Sequence, residues 1–170
     1  MFSSVIIFEK PADSAVKTEL TRFARRARQL AGLSGDVAIL ITGNRQLRSL
    51  NRRFRHKDKA TDVLSFPRAS EAGEESGGDI AISADIAEEN AVRYGHKIVD
   101  ELKILVLHGM LHLAGHDHEA DNGEMAALEL TLRARLKLPA SLIDRASIDR
   151  ASTNGDSSPA SRGKARRRKP

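Results

Sequence analysis

LHGMLHLAGHDHE, residues 107–119, is the stretch from which the rest of the chain can be read. His108 and His112 stand four apart, so on a helix their rings leave one face a turn apart. Gly115 is a helix stop, after which the chain can fold back and carry His118 to the same point. Three neutral imidazoles fill three corners of a tetrahedron and leave the fourth free, the arrangement of a catalytic rather than a structural zinc. Zinc held in this way lowers the pKa of its water to about 7. A lone histidine on an apolar helix is more often packed than ligating, and a pair at this spacing arises by chance. Four of the six histidines within eleven residues, split by a glycine, is a rarer coincidence. It singles out a metal site of His108, His112 and His118. One zinc ion per chain is the expected cofactor, while three imidazoles suit nickel, copper or iron as well. His116 falls out of the spacing and is expected on the surface. Asp117 is a candidate carboxylate behind a ligating histidine.

Outward from this segment the pattern stays regular. The helix bearing the first two histidines should run from about residue 99 to 114, with Leu102, Leu105, Val106 and Leu113 inward. Before it, Ser83 caps a helix that runs to Tyr94 and stops at Gly95. After it, residues 121–136 place Met125, Leu128, Leu132 and Leu136 on one stripe. The N-terminal half carries four strands, at 4–8, 37–41, 62–66 (ended by Pro67) and 79–82. Between them, Pro11 opens a helical segment with Val16, Leu20, Phe23, Ala27 and Leu30 at helix spacing and Gly32 as its stop. Asn44 caps a short helix carrying Leu47, Leu50 and Phe54. Residues 68–77 are polar and glycine-containing, a loop or hairpin. Strands first and helices later indicate an α+β fold: a small mixed sheet of about four strands covered by helices. The zinc site belongs at the end of the long central helix.

At 170 residues, 40% hydrophobic and 30% charged, the chain has the composition of one globular domain. It contains no cysteine, which excludes a disulfide scaffold, a thiolate metal site and a cysteine nucleophile. MFSSVIIFEK lacks the basic start and long apolar run of a signal peptide, and no stretch approaches the roughly 20 apolar residues of a membrane span. A cytoplasmic location is expected, with no membrane partner. The net charge of +5 resides in residues 151–170, which hold six Lys or Arg and one acid. Residues 1–144 are therefore expected to form the zinc-dependent domain and 145–170 a disordered basic tail. Within the domain, basic residues bunch at Arg22, Arg25, Arg26 and Arg28. They bunch again at Arg45, Arg48, Arg52, Arg53, Arg55, Lys57 and Lys59. Either run is a solvated helix face or a phosphate-binding strip.

The spacing H-x-x-x-H-x-x-G-x-x-H is shared with metzincin proteases, which set a glutamate beside the first histidine as general base. Gly109 stands there, so a protease-like zinc hydrolase is the lesser reading. Phe2, Phe8, Phe23, Phe54 and Phe66 fall mostly at core-like positions, and there is no Trp. No base-stacking platform is evident, so RNA would be held by backbone and shape.

Several blocks of this chain resemble the YbeY family of bacterial ribosomal-RNA maturation endoribonucleases. HGMLHLAGHDH is similar to the family's HGxLHLxGYDH. NRRFRHKDKATDVLSFP, from Asn51 to Pro67, is similar to N-x-x-F/Y-R-x-x-D-x-x-T-D-V-L-S-F-P. Gly78, Asp79 and Ile80 supply the GDI block, and Glu124 to Glu129 the family-like E-M-x-x-L-E. The resemblance spans roughly residues 2–140 and departs from the pattern at His116, usually tyrosine, and in the tail. It implies an α+β fold and a single-strand-specific, metal-dependent endoribonuclease of small-subunit rRNA 3′-end maturation and ribosome quality control. Its partners would be ribosomal RNA and the small ribosomal subunit, with ribosomal proteins or a ribosome-associated GTPase as further candidates. It also implies that Arg55 is catalytic. By spacing alone Arg55 is one basic residue in a run, although a guanidinium there can grip a phosphate bidentately. Asp58, Thr61, Asp62 and Ser65 could line the same cleft, and Thr61 and Asp62 equally suit a turn or cap. Asp79 is expected to order the sheet edge or stand behind the site, and Glu124 to serve the helix dipole. A non-catalytic assembly factor with a structural zinc stays open as the rival class.

Overall fold

The computed structural model describes residues 3–68, 77–118 and 120–138. The expected basic tail, and most of the polar excursion after Pro67, lie outside the described residues. The elements run β1 (Ser4–Phe8), α1 (Ser14–Leu30), β2 (Val37–Thr42), α2 (Asn44–Arg55), β3 (Val63–Pro67), β4 (Gly78–Ser83), α3 (Ala84–Tyr94), α4 (Ile98–Leu113) and α5 (Glu124–Arg135). The expected α+β architecture is what forms. One four-stranded sheet has the order β1-β2-β4-β3, with β1, β2 and β4 parallel and β3 antiparallel at the edge.

Strand alternation decides which helix covers which face. Ile80 and Ile82 of β4 point into the main core with Ile39 and Ile41 of β2. Ala81, between them, points the other way and packs with Leu64 and Leu47. The first face is covered by α1 and α4, which contribute Leu20, Phe23, Leu105, Val106 and Met110. Over β3 and β4 the second face packs against α2. Helix α4 is apolar nearly all round because β3, β4, α1, α3 and α5 all pack against it. Among the described residues no helix is long and apolar enough to cross a membrane.

Two polar devices fix the helix ends near the sheet. Ser83 caps α3 as expected, its hydroxyl accepting from the Ile86 N–H at 3.1 Å. Helix α2, however, is not capped by Asn44. Gly43 is its N-cap, and the Asn44 N–H donates to Asp85 Oδ2 at 2.8 Å, so a carboxylate on α3 serves the first turn of α2. At the α3–α4 junction the fully buried Glu101 is held by the ring of His96 at 2.8 Å and the amide of Asn90 at 3.1 Å. A buried carboxylate needs such partners to be tolerated.

A second expectation changes with the topology. β4 lies between β2 and β3, so Asp79 sits on an interior strand with its side chain exposed and does not order a sheet edge.

Candidate metal centre and cleft

His108 and His112 leave the last two turns of α4 from the same face. After Leu113 the helix closes with a paired end. The His116 N–H returns to the Leu111 carbonyl at 3.1 Å, and the Gly115 N–H to the His112 carbonyl at 3.0 Å. This pairing requires a left-handed residue between, and Gly115 supplies it at φ +90°. The reversal carries His118 back over the helix end. The ring centroids stand 4.8 Å apart for His108 and His112, 5.2 Å for His108 and His118, and 5.1 Å for His112 and His118. One nitrogen from each ring lies within 4.8 Å of the others, so the three form a group that could hold a metal ion. The two helical Nε2 atoms approach to 3.1 Å. Ligands about 2.0–2.1 Å from a tetrahedral zinc lie roughly 3.3 Å from each other, so this edge already has the size of a coordination edge.

Protonation supports the same use. Burial, and then the neighbouring His108 and His118, hold His112 below the usual histidine range, which favours the neutral, ligating ring. The His108 ring is oriented from behind. Its Nδ1 lies 3.1 Å from Glu129 Oε2, and an ionised carboxylate only accepts, so Nδ1 carries the proton and Nε2 presents its lone pair. Burial opposes ionisation of Glu129, but the bond from His108 and the charge of Arg133 outweigh it and keep the carboxyl below its usual range. Arg133, one turn further along α5, donates to the second oxygen of Glu129.

Glu129 is thus the carboxylate behind His108, a residue that the expectation at Asp117 did not include. Asp117 is exposed at the rim, and its charge favours the protonated form of His112 only as a late contribution. Glu129 carried a signal in the sequence. It lies at i+4 from Met125 and i−3 from Leu132, on the stripe that faces the core, where a carboxylate without a partner is costly. His116 is half-buried and lines the cleft, where a surface position was expected. Replacing Glu129 by Gln removes the charge at constant shape and is expected to weaken metal binding by about 10–100-fold. Competition against a coloured chelator measures this, and equal affinity of variant and wild type would detach Glu129 from the site.

Gly109 has a geometric reason. A Cβ built there would stand 2.9 Å from Ile80 Cγ2 and 3.2 Å from the hydroxyl of Ser65, which donates to the Gly109 carbonyl. The residue after the first histidine thus faces the sheet, where a glutamate has no room. Gly109→Ala is expected to cost about 1–3 kcal/mol by overpacking. Urea unfolding reads this, and an unchanged midpoint would mean that the helix is not seated so closely on β4.

The histidines open onto a cleft of about 570 Å³, whose other wall is built by the end of α2, residues 57–62 and β3. Arg55, the last residue of α2, lines it, with one guanidinium nitrogen 3.4 Å from the Ser65 carbonyl. Thr61, Asp62 and Ser65 line it too, whereas Asp58 does not. Asp58 instead receives a two-pronged bond from Arg48, both contacts 2.8 Å. Asp62 also does the turn work foreseen for it, accepting from the Val63 N–H and the Thr61 hydroxyl. Asn51, buried at the rim, donates to the Lys59 carbonyl at 2.8 Å and so fixes the loop that presents Lys57 and Lys59 to the cleft. Spacing alone gave no sign of this anchoring role. Of the α1 arginines, Arg28 turns inward and donates to the Leu33 and Gly35 carbonyls, leaving it no place in a phosphate-binding strip.

Residues 6–137 match a family model described as Endoribonuclease YbeY. The endoribonuclease YbeY of Koribacter versatilis (strain Ellin345) is 56% identical over 141 residues, covering 83% of this chain and 91% of that protein. That of Solibacter usitatus (strain Ellin6076) is 47% identical over 142 residues, covering 84% and 94%. A solution structure from Thermotoga maritima is similar with a TM-score of 0.54 at 27% identity, covering 95% of this chain and all of that one.

Proposed function

The chain belongs to the endoribonuclease YbeY family, and from that premise we propose that it is a zinc-dependent endoribonuclease specific for single strands. Its substrate in this reading is ribosomal RNA on the small subunit, near the 3′ end, in the cytoplasm. The observation that carries the proposal is that Arg55 and the three imidazoles open onto one cleft. When bound, zinc on His108, His112 and His118 supplies a Lewis acid and a water of pKa near 7. The guanidinium of Arg55 binds the phosphate bidentately and stabilises the charge that gathers on its oxygens as the transition state forms. Lys57 and Lys59 hold the neighbouring phosphates by charge alone. The protease alternative has no support at Gly109, because the position of its general base is taken up by packing against Ile80.

The test is incubation of the metal-loaded full chain with single-stranded RNA, duplex RNA and an unfolded protein, with and without chelator. Cleavage confined to the single strand, abolished by chelator and restored by zinc, is the expected pattern. Binding should also weaken steeply as salt rises. Degradation of the unfolded protein, or intact RNA in the presence of loaded protein, would overturn the proposal.

A further inference from the structure

Phe54 is the one described phenylalanine whose ring is mainly in solvent, at 53% exposed. Its place on the Leu47, Leu50, Phe54 stripe suggested a core residue, but only Leu47 is fully buried there, and the end of α2 leaves the ring uncovered. The ring is braced rather than loose. Phe66 of β3 meets it edge-on at 5.1 Å with planes at 65°, and the guanidinium of Arg53 lies over it, with Cζ 5.2 Å from the centroid. The next residue, Arg55, lines the cleft, as do Ser65 and Pro67 on either side of Phe66. An aromatic face that already accepts a flat guanidinium beside a cationic cleft has the chemistry of a stacking site.

We propose that Phe54 is the platform on which an unpaired nucleobase stacks while the phosphate of an adjoining nucleotide enters the cleft at Arg55. This rests on the ribonuclease reading above. The occupant is set by charge and shape together. Helix α2 contains five arginines and no acid; Arg48 is engaged by Asp58, while Arg53 and Arg55, on either side of Phe54, set positive charge beside the exposed apolar ring. Single-stranded RNA offers anionic phosphates and flat faces in alternation. In a duplex the faces are already stacked, so a site of this kind selects single strands without reading their sequence. Arg53 then leaves the ring for a phosphate or covers the far face of the base.

Fluorescence anisotropy of the metal-free full chain, which cannot consume its ligand, tests this with a short end-labelled single-stranded RNA. The same oligomer made abasic at successive positions is the comparison. Wild type should bind the intact oligomer at least about five-fold more tightly than one abasic form. Phe54→Ala should lower affinity for the intact oligomer by that factor, leave the abasic form unaffected and so erase the difference, and Phe54→Trp should restore it. Phe54→Leu, which keeps apolar bulk without a π-face, should behave like alanine. Affinities for both oligomers unchanged in Phe54→Ala would overturn the stacking site while leaving the ribonuclease reading intact. Failure of wild type to bind the oligomer at all would overturn both.

Discussion

His112→Ala is expected to empty the metal centre and to slow RNA cleavage by about a thousandfold or more. The site has three donors at the corners of a near-equilateral triangle, and His112 supplies one corner, with its Nε2 3.1 Å from that of His108 and its ring 5.1 Å from that of His118. Alanine leaves two imidazoles, one of them on the exposed turn after Gly115, and two are too few to hold a catalytic zinc. Loss of the metal removes several kcal/mol of transition-state stabilisation, and each 1.4 kcal/mol is a factor of ten. Elemental analysis and a cleavage assay on the same preparation read both effects. An ion held by all three rings would tie His118 to α4, so added zinc should raise the melting temperature of wild type and leave that of the variant unchanged. A variant that retained one equivalent of metal and full activity would show that the ion lies elsewhere.

Arg55→Ala is expected to lower kcat by about a hundred- to a thousandfold, the usual effect of deleting one preorganised donor to a developing anion. Metal content should stay at the wild-type level, because Arg55 belongs to the opposite wall of the cleft and makes its described contact with the Ser65 carbonyl. Arg55→Lys should recover only part of the rate, since an ammonium delivers charge without the paired N–H geometry. KM should change less than kcat if the guanidinium acts mainly in the transition state. Equal loss in KM alone would reduce Arg55 to a binding residue. Unchanged kinetics would remove it from the reaction.

The histidine group that could hold a metal was legible because its information is local. Two histidines at i and i+4 and a glycine at a helix end fix a geometry within eleven residues, and the Gly115 turn forms as the spacing required. Strand positions were legible for the same reason, since runs such as residues 37–42 have no amphipathic alternative. What was not legible is pairing at long range. Nothing in residues 78–83 says that they insert between β2 and β3, so Asp79 was expected near an edge and is found on an interior strand. Glu129 was visible as a charge on an apolar stripe, but its partner His108 lies on another helix. Asn44 looked like a cap because cap rules are local, while the acceptor that serves its N–H comes from Asp85 across the fold. Phe54 followed the helical stripe correctly, and only the limited cover of the sheet left it bare.

The contact between Glu129 and His108 joins the last described helix to the three-histidine group. Thermodynamic reciprocity then fixes a relation between two events far apart in the chain. Whatever factor the seated α5 adds to the ion's residence, the ion must return to the seating of α5. Withdrawal of a metal from the proposed centre is therefore expected to register in amide exchange across residues 124–135, although none of those residues is a candidate ligand.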